Sequence, residues 1–274
     1  MGKAIADGMD PAVLTLVRFI IAALLFLPFI HRKYGLHLPD KKSLFGYACI
    51  SFTLTGFFWL MFLSLRSTTA LNTGVIFTLV PGISGVYSLI LLRERLGRYR
   101  IMAMLPATIG AIWVLFHGSL ERLLAFDLNS GDLIFFISCL LMALYTPLVK
   151  LFHRKEPMSV MTFWILVTGS GWLLLFSGYR LPQVPWFDIT TQVWVGIVYL
   201  AVFSTIITFF LSQLCTLYIG PTRAMAYSYL YPPFILLIEW FFGHPLPSVQ
   251  VLPGVGLILV SMFIVQQGAD SPSE

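Results

Sequence analysis

The segment PAVLTLVRFIIAALLFLPFI, at 11 to 30, carries one charge in twenty residues, and stretches of similar length and character follow one another almost to the C-terminus. Crossing about 30 Å of hydrocarbon takes about 20 predominantly apolar residues in a helix. A helix also satisfies its own backbone polar groups, which lipid cannot do. A chain made of such runs, joined by short links, folds as a polytopic helical membrane protein and as little else. A membrane barrel would instead show short segments of alternating polarity. Only 11% of the residues are charged, against roughly 25% in a soluble domain.

Turn residues and charges divide the chain into nine expected helices, at about 12 to 30, 44 to 65, 69 to 92, 101 to 117, 132 to 150, 159 to 178, 191 to 214, 222 to 242 and 249 to 267. The longest links, at 31 to 42, 119 to 131 and 179 to 188, are too short for a soluble domain. The net charge of +5 lies in such links, not along one face, so it speaks for topology and against nucleic acid as a partner. Arg32, Lys33, Lys41, Lys42, Arg93, Arg95, Arg98, Arg100, Lys150, Arg154, Lys155 and Arg223 fall on one side, and Lys3, Arg18, Arg66, Arg122 and Arg180 on the other. The positive-inside rule makes the first side cytoplasmic, in an inner or plasma membrane, with the C-terminus inside and Met1 outside. An outside start without a signal peptide reads as a missing piece.

A shift of 150 residues sets LVPGISGVYSLILLRERL, from 79, over YLYPPFILLIEWFFGHPL, from 229. A second match pairs the stretch from Met9 with that from Glu156, leaving five helices in the second half and four in the first. The unmatched helix is the one at 132 to 150, whose counterpart falls before Met1. The expected organisation is therefore a first repeat at 1 to 118, an external linker at 119 to 130, a second repeat at 131 to 268 and a cytoplasmic tail at 269 to 274. An odd number of helices per half inverts one half relative to the other, an architecture recurrent in secondary transporters.

SLRSTTALNTGVIFTLVPGISGVYSLILLRERL, with the arginine-rich link after it, resembles a block of EamA-type proteins in the drug/metabolite transporter superfamily. GDLIFFISCLLMALYTPLVK and FSTIITFFLSQLCTLYIGPTRAMAYSYLYPP resemble the matching second-half segments. The resemblance implies an all-α inverted-repeat bundle of ten helices around a central cavity, with the last helix of each half packed peripherally. It also implies an exporter of small metabolites or drug-like molecules. The chain departs from that plan in the missing first helix, in His244 at the repeat position of Glu94, and in Val260 at that of Gly110.

Pro81, Pro232 and Pro233 are expected to kink their helices where the pathway runs, because each removes a backbone hydrogen bond. Trp59, Asn72, Tyr145, Gln213, Tyr227 and Tyr229 are expected to line a cargo site, since polar and amphipathic side chains in a bilayer turn toward protein or water. Glu239 stands within an apolar helix and is read two ways, as a proton-coupling or cation-binding carboxylate and as an interfacial group. Arg18 is expected to snorkel to the outer headgroups, its functional alternative being an anion contact at the outer mouth, paired with Glu239.

Cys49, Cys139 and Cys215 have no ligand or disulfide spacing, and the five histidines form no zinc pattern. No phosphate-binding loop occurs either, so neither a metal nor another cofactor is expected. The expected partners are membrane lipids and a small-molecule cargo, and a homodimer is left open. The leading reading is a secondary carrier working by alternating access on a neutral, zwitterionic or amphipathic cargo. The alternatives are a membrane enzyme acting on lipid-linked groups, which needs clustered acids or histidines where this chain disperses them, and an inactive form lacking its first helix.

Overall fold

The computed structural model describes residues 9–68, 70–93, 98–126, 128–187, 189–241 and 249–267, with only the backbone at several helical positions, Glu239 among them. Every element among the described residues is helical. The first half contains α1 (Pro11–Tyr34), α2 (Lys41–Ser64), α3 (Ala70–Phe77), α4 (Val80–Leu92), α5 (Arg98–Leu115) and the short α6 (Leu120–Leu124). The second contains α7 (Ser130–Phe152), α8 (Met158–Ser177), α9 (Thr191–Tyr199), α10 (Thr208–Ile219), α11 (Pro221–Ala226), α12 (Tyr231–Phe241) and α13 (Leu252–Gln267). Seven described helical stretches are long and apolar enough to cross a membrane, and Met104–Leu115 is apolar but shorter. The protein is thus a multi-pass membrane protein.

Helix starts follow from local chemistry. Asp10 Oδ1 accepts from the amides of Ala12 (3.0 Å) and Val13 (3.3 Å), and Pro11 fills a first position where no N–H is needed. Asn129 and Asp132 form a reciprocal capping box at the start of α7.

Three expected helices are interrupted. The segment at 69 to 92 ends as a helix at Phe77 and restarts at Val80, one turn ahead of the bend expected at Pro81. The proline ring excludes the carbonyl four residues back and offers no N–H. The amides of Thr78 and Leu79 turn instead to Val75 and Ile76, each at 3.1 Å, in a tight turn. The segment at 222 to 242 repeats the device, with a 3-10 turn over Tyr227–Leu230 and Pro232 and Pro233 in the first turn of α12. Between α9 and α10 lies a π-helix at Leu200–Ile207, where Thr205 and Thr208 donate to carbonyls five residues back.

Two apolar clusters hold the bundle. The larger joins α1, α2, α7, α8 and α10. α2 and α7 run antiparallel, with Phe45 against Phe152 at one end and Thr68 on Asp132 at the other. The smaller cluster joins α5 and α13 with Ala226 and Tyr229. There a Cβ on Gly110 would stand 2.6 Å from the carbonyl oxygen of Gly254, and one on Gly254 would stand 2.8 Å from that of Gly110. Only glycine permits this backbone contact, and close approach is what drives helix association where lipid is as apolar as the side chains.

Candidate functional site

The two proline-broken helices meet at their breaks. Phe77, the last residue of α3, stacks on Tyr231, the first of α12, with ring centroids 5.9 Å apart. A cavity of about 340 Å³ opens beside them, walled by Phe57 and Met61 of α2, Phe77 and Thr78, and Ser228, Tyr231 and Pro232. Ligand pockets commonly measure about 300–1,000 Å³ and combine apolar walls with a few polar groups. Ser228 supplies one such group, because its Oγ is buried without a hydrogen-bond partner among the described residues. Ending two helices here also exposes backbone groups that an unbroken helix would consume, an arrangement tolerated in a membrane where it lines a cavity.

The six residues expected to line the cargo site are dispersed around this cavity and do not form its walls. Tyr145 and Gln213 meet each other, Gln213 Nε2 donating to the Tyr145 hydroxyl at 2.9 Å while Thr162 donates to Gln213 Oε1. Tyr229 shares a 2.9 Å hydrogen bond with Thr108. Trp59 is half-buried and stacks on the exposed Phe176, and Tyr227 is exposed. Asn72 donates to Asp132 Oδ2 at 2.7 Å. The rings that wall the cavity, Phe57, Phe77 and Tyr231, carried no chemical motif in the sequence. Phe77 and Tyr231 had only their nearness to the proline breaks as a signal, and Phe57, within α2, had none.

Arg18 does not snorkel. It lies seven residues into α1, about 10 Å from the helix start at 1.5 Å per residue, and only 1% of it is exposed. Its guanidinium carbon sits 4.1 Å from the centroid of the Phe58 ring, 5.4 Å from Phe19 and 5.8 Å from Phe62. Gly169 of α8 makes room for this arrangement, since a Cβ there would meet the Phe19 ring and Thr55 Cγ2 at 3.0 Å. The rings attract the face of the cation, each by about 0.5–2 kcal/mol. They do nothing for its edge, where Nε and Nη2 are buried with no hydrogen-bond partner among the described residues. A buried donor left unmet costs about 1–3 kcal/mol, more on a charged group. The Glu239 side chain, its expected partner, lies outside the described residues.

Asp132 is the second buried charge, 2% exposed at the start of α7. The Thr68 hydroxyl donates to Oδ1, while Asn72 Nδ2 and the Asn129 amide donate to Oδ2 at 2.7 Å each. In the sequence this aspartate is one of the dispersed acids, at the first position of the helix expected at 132 to 150. The Asn129 three residues ahead of it was the signal for a cap. A further cavity of about 410 Å³ reaches Asp132 from between α3, α5 and α7, with walls otherwise apolar apart from Asn129. Among the described residues, no three His, Cys, Asp or Glu side chains gather as a metal site requires.

Multiple apolar spans, discontinuous helices and a cavity at their breaks define a membrane protein of the carrier type. The EamA-like transporter family model matches residues 1–116 and 129–266, and the chain belongs to that family. It is a family of transporters and not of enzymes. An uncharacterized transporter of Bacillus subtilis (strain 168), YyaM, is 26% identical over 262 residues, covering 94% of this chain and 86% of that protein. An uncharacterized transporter of Archaeoglobus fulgidus is 20% identical over 92% of this chain and 86% of its own length. A solved crystal structure shares the fold with a TM-score of 0.74 at 17% identity, over 99% of this chain and 93% of that one.

Proposed function

We propose that the chain is a secondary transporter that exports small metabolites or drug-like molecules by alternating access of the cavity at the paired helix breaks. The carrying observation is the meeting of Phe77 and Tyr231 at the ends of two discontinuous helices, beside a cavity of ligand size. Discontinuous helices bind cargo through freed backbone groups and tilt about the break when one half of a bundle moves against the other. The matching turn-then-proline construction in α3–α4 and α11–α12 supports two inverted halves, at 1 to 118 and 131 to 268, joined by an external linker. With the nine passes expected from the sequence and the Lys- and Arg-rich links inside, the C-terminus lies in the cytoplasm of an inner or plasma membrane. Export follows from the family resemblance, and coupling to protons through Glu239 belongs to the same reading.

Comparison of intracellular and medium metabolites, with and without the protein, tests the activity. At least one small solute is expected to move outward, and replacing Ser228 by Trp, which fills the cavity, is expected to stop it. A solute that still moves unchanged with the cavity filled overturns the assignment of the site. Reporter fusions after Leu120 and after Lys155 are expected to report outside and inside respectively, and the opposite pattern overturns the orientation.

A further inference from the structure

We propose that Arg18 and the rings around it form the subsite for the cargo's carboxylate, so that the cargo is an amphipathic monocarboxylic acid. The inference rests on the transporter reading and narrows it to a substrate class. Nε and Nη2, the two unpartnered atoms, share one edge of the guanidinium. That edge presents two parallel N–H donors, which match the two oxygens of a carboxylate side by side.

The surroundings specify the rest of the ligand. Phe19 and Phe58 both pack against Phe209, with centroids 6.1 Å and 5.6 Å away, and Phe209 in turn meets Tyr145 at 6.4 Å. Apolar ring surface thus surrounds a single charge, which fits one anionic group on an apolar body. The Phe58 ring lies 4.9 Å from that of Phe57, a wall of the central cavity, so one aromatic layer separates the guanidinium from the cavity.

A dianionic phosphate is disfavoured, because two other cations at this end are engaged. Arg180 pairs with Asp10 at 2.7 Å, and Arg66 reaches the Met9 carbonyl at 3.5 Å. One cation neutralises one carboxylate, whereas a second buried negative charge would stay uncompensated. Among the described residues no internal partner explains the site either. Asp132 is the other charged residue buried among those described, and Thr68, Asn72 and Asn129 hold its oxygens.

Thermal shift of the purified full chain in detergent, with phenylpropionate, phenylpropionamide and phenyl phosphate as probes, tests the subsite without requiring transport. Phenylpropionate is expected to raise Tm saturably, and the amide and the phosphate are not. Arg18→Gln is expected to weaken phenylpropionate binding at least about tenfold, and Arg18→Lys to weaken it less, since an ammonium keeps the charge but loses the fork. Equal shifts with acid and amide, or no shift with the acid, overturn the proposal in the unaltered chain and so need no variant to fold. Acid binding unchanged in Arg18→Gln overturns it too. A chain that binds the acid through Arg18 but moves no solute sustains the subsite and removes the transporter reading. Transport of solutes with no preference for a carboxylate does the reverse.

Discussion

Arg18, in the first half of the chain, and Asp132, at the start of the second, are both buried charges, and they are opposites in what the chain provides for them. Asp132 accepts three hydrogen bonds from Thr68, Asn72 and Asn129 and fixes the start of α7 against the segment that leads out of α2. Arg18 has aromatic faces but, among the described residues, no acceptor for Nε or Nη2. A charge whose partners are all internal belongs to the fold. A charge whose donors are left unmet is a cost to the fold, and such costs are retained where a ligand meets them.

Removing the acceptor is expected to do the most damage. Asp132→Ala removes the acceptor shared by three donors and is expected to lower stability by about 3 kcal/mol or more, read as a drop in Tm in detergent. A change near zero would put Asp132 on the same footing as Arg18 and break the contrast. Asn72→Leu takes away one donor and leaves the other two, so about 1–2 kcal/mol is expected by the same measurement.

Arg18→Gln is expected to leave stability, read as Tm, within about 1 kcal/mol of the parent or to raise it, because an unmet guanidinium is removed from the interior. A loss as large as that of Asp132→Ala would show that the arginine holds the fold together.

The smallest effect is expected at a third charge, the exposed Asp40, which sharpens the scale. Hydrogen bonds from the Ser43 hydroxyl, and then from the Lys42 and Ser43 amides, hold its carboxyl below the ordinary aspartate range. A depressed folded pKa stabilises above the unfolded value and is lost as pH falls through the folded one. Asp40→Asn is therefore expected to leave Tm unchanged at very low pH and to lower it only slightly at neutral pH, since solvent screens the site.

Much of the architecture was legible along the chain. Apolar runs near 20 residues define the spans without reference to any neighbour, and Pro81, Pro232 and Pro233 marked two of the three interruptions. The form of those interruptions was not legible. Proline dictates which hydrogen bond is lost, but not that the two breaks meet with Phe77 stacked on Tyr231. The π-helix at Leu200–Ile207 has no proline or glycine to announce it. The Asn129–Asp132 cap is readable from its three-residue spacing, but spacing does not show that the aspartate is buried and accepts from Thr68 and Asn72.

Arg18 shows most plainly where the sequence ends its authority. One arginine, two turns into an apolar helix, is compatible with a side chain that reaches the headgroups and with one that is enclosed. Residues on α1 itself do not distinguish the two. Phe58 and Phe62 come from α2, and the space for Phe19 comes from a glycine on α8, so enclosure exists only when three helices pack. The sequence by itself determined that the chain must span a membrane as helices, because hydrocarbon allows no other use of such runs. The tertiary structure alone decided which charge the fold satisfies and which it leaves for a ligand, because hydrogen-bond partners and aromatic walls arrive from distant parts of the chain.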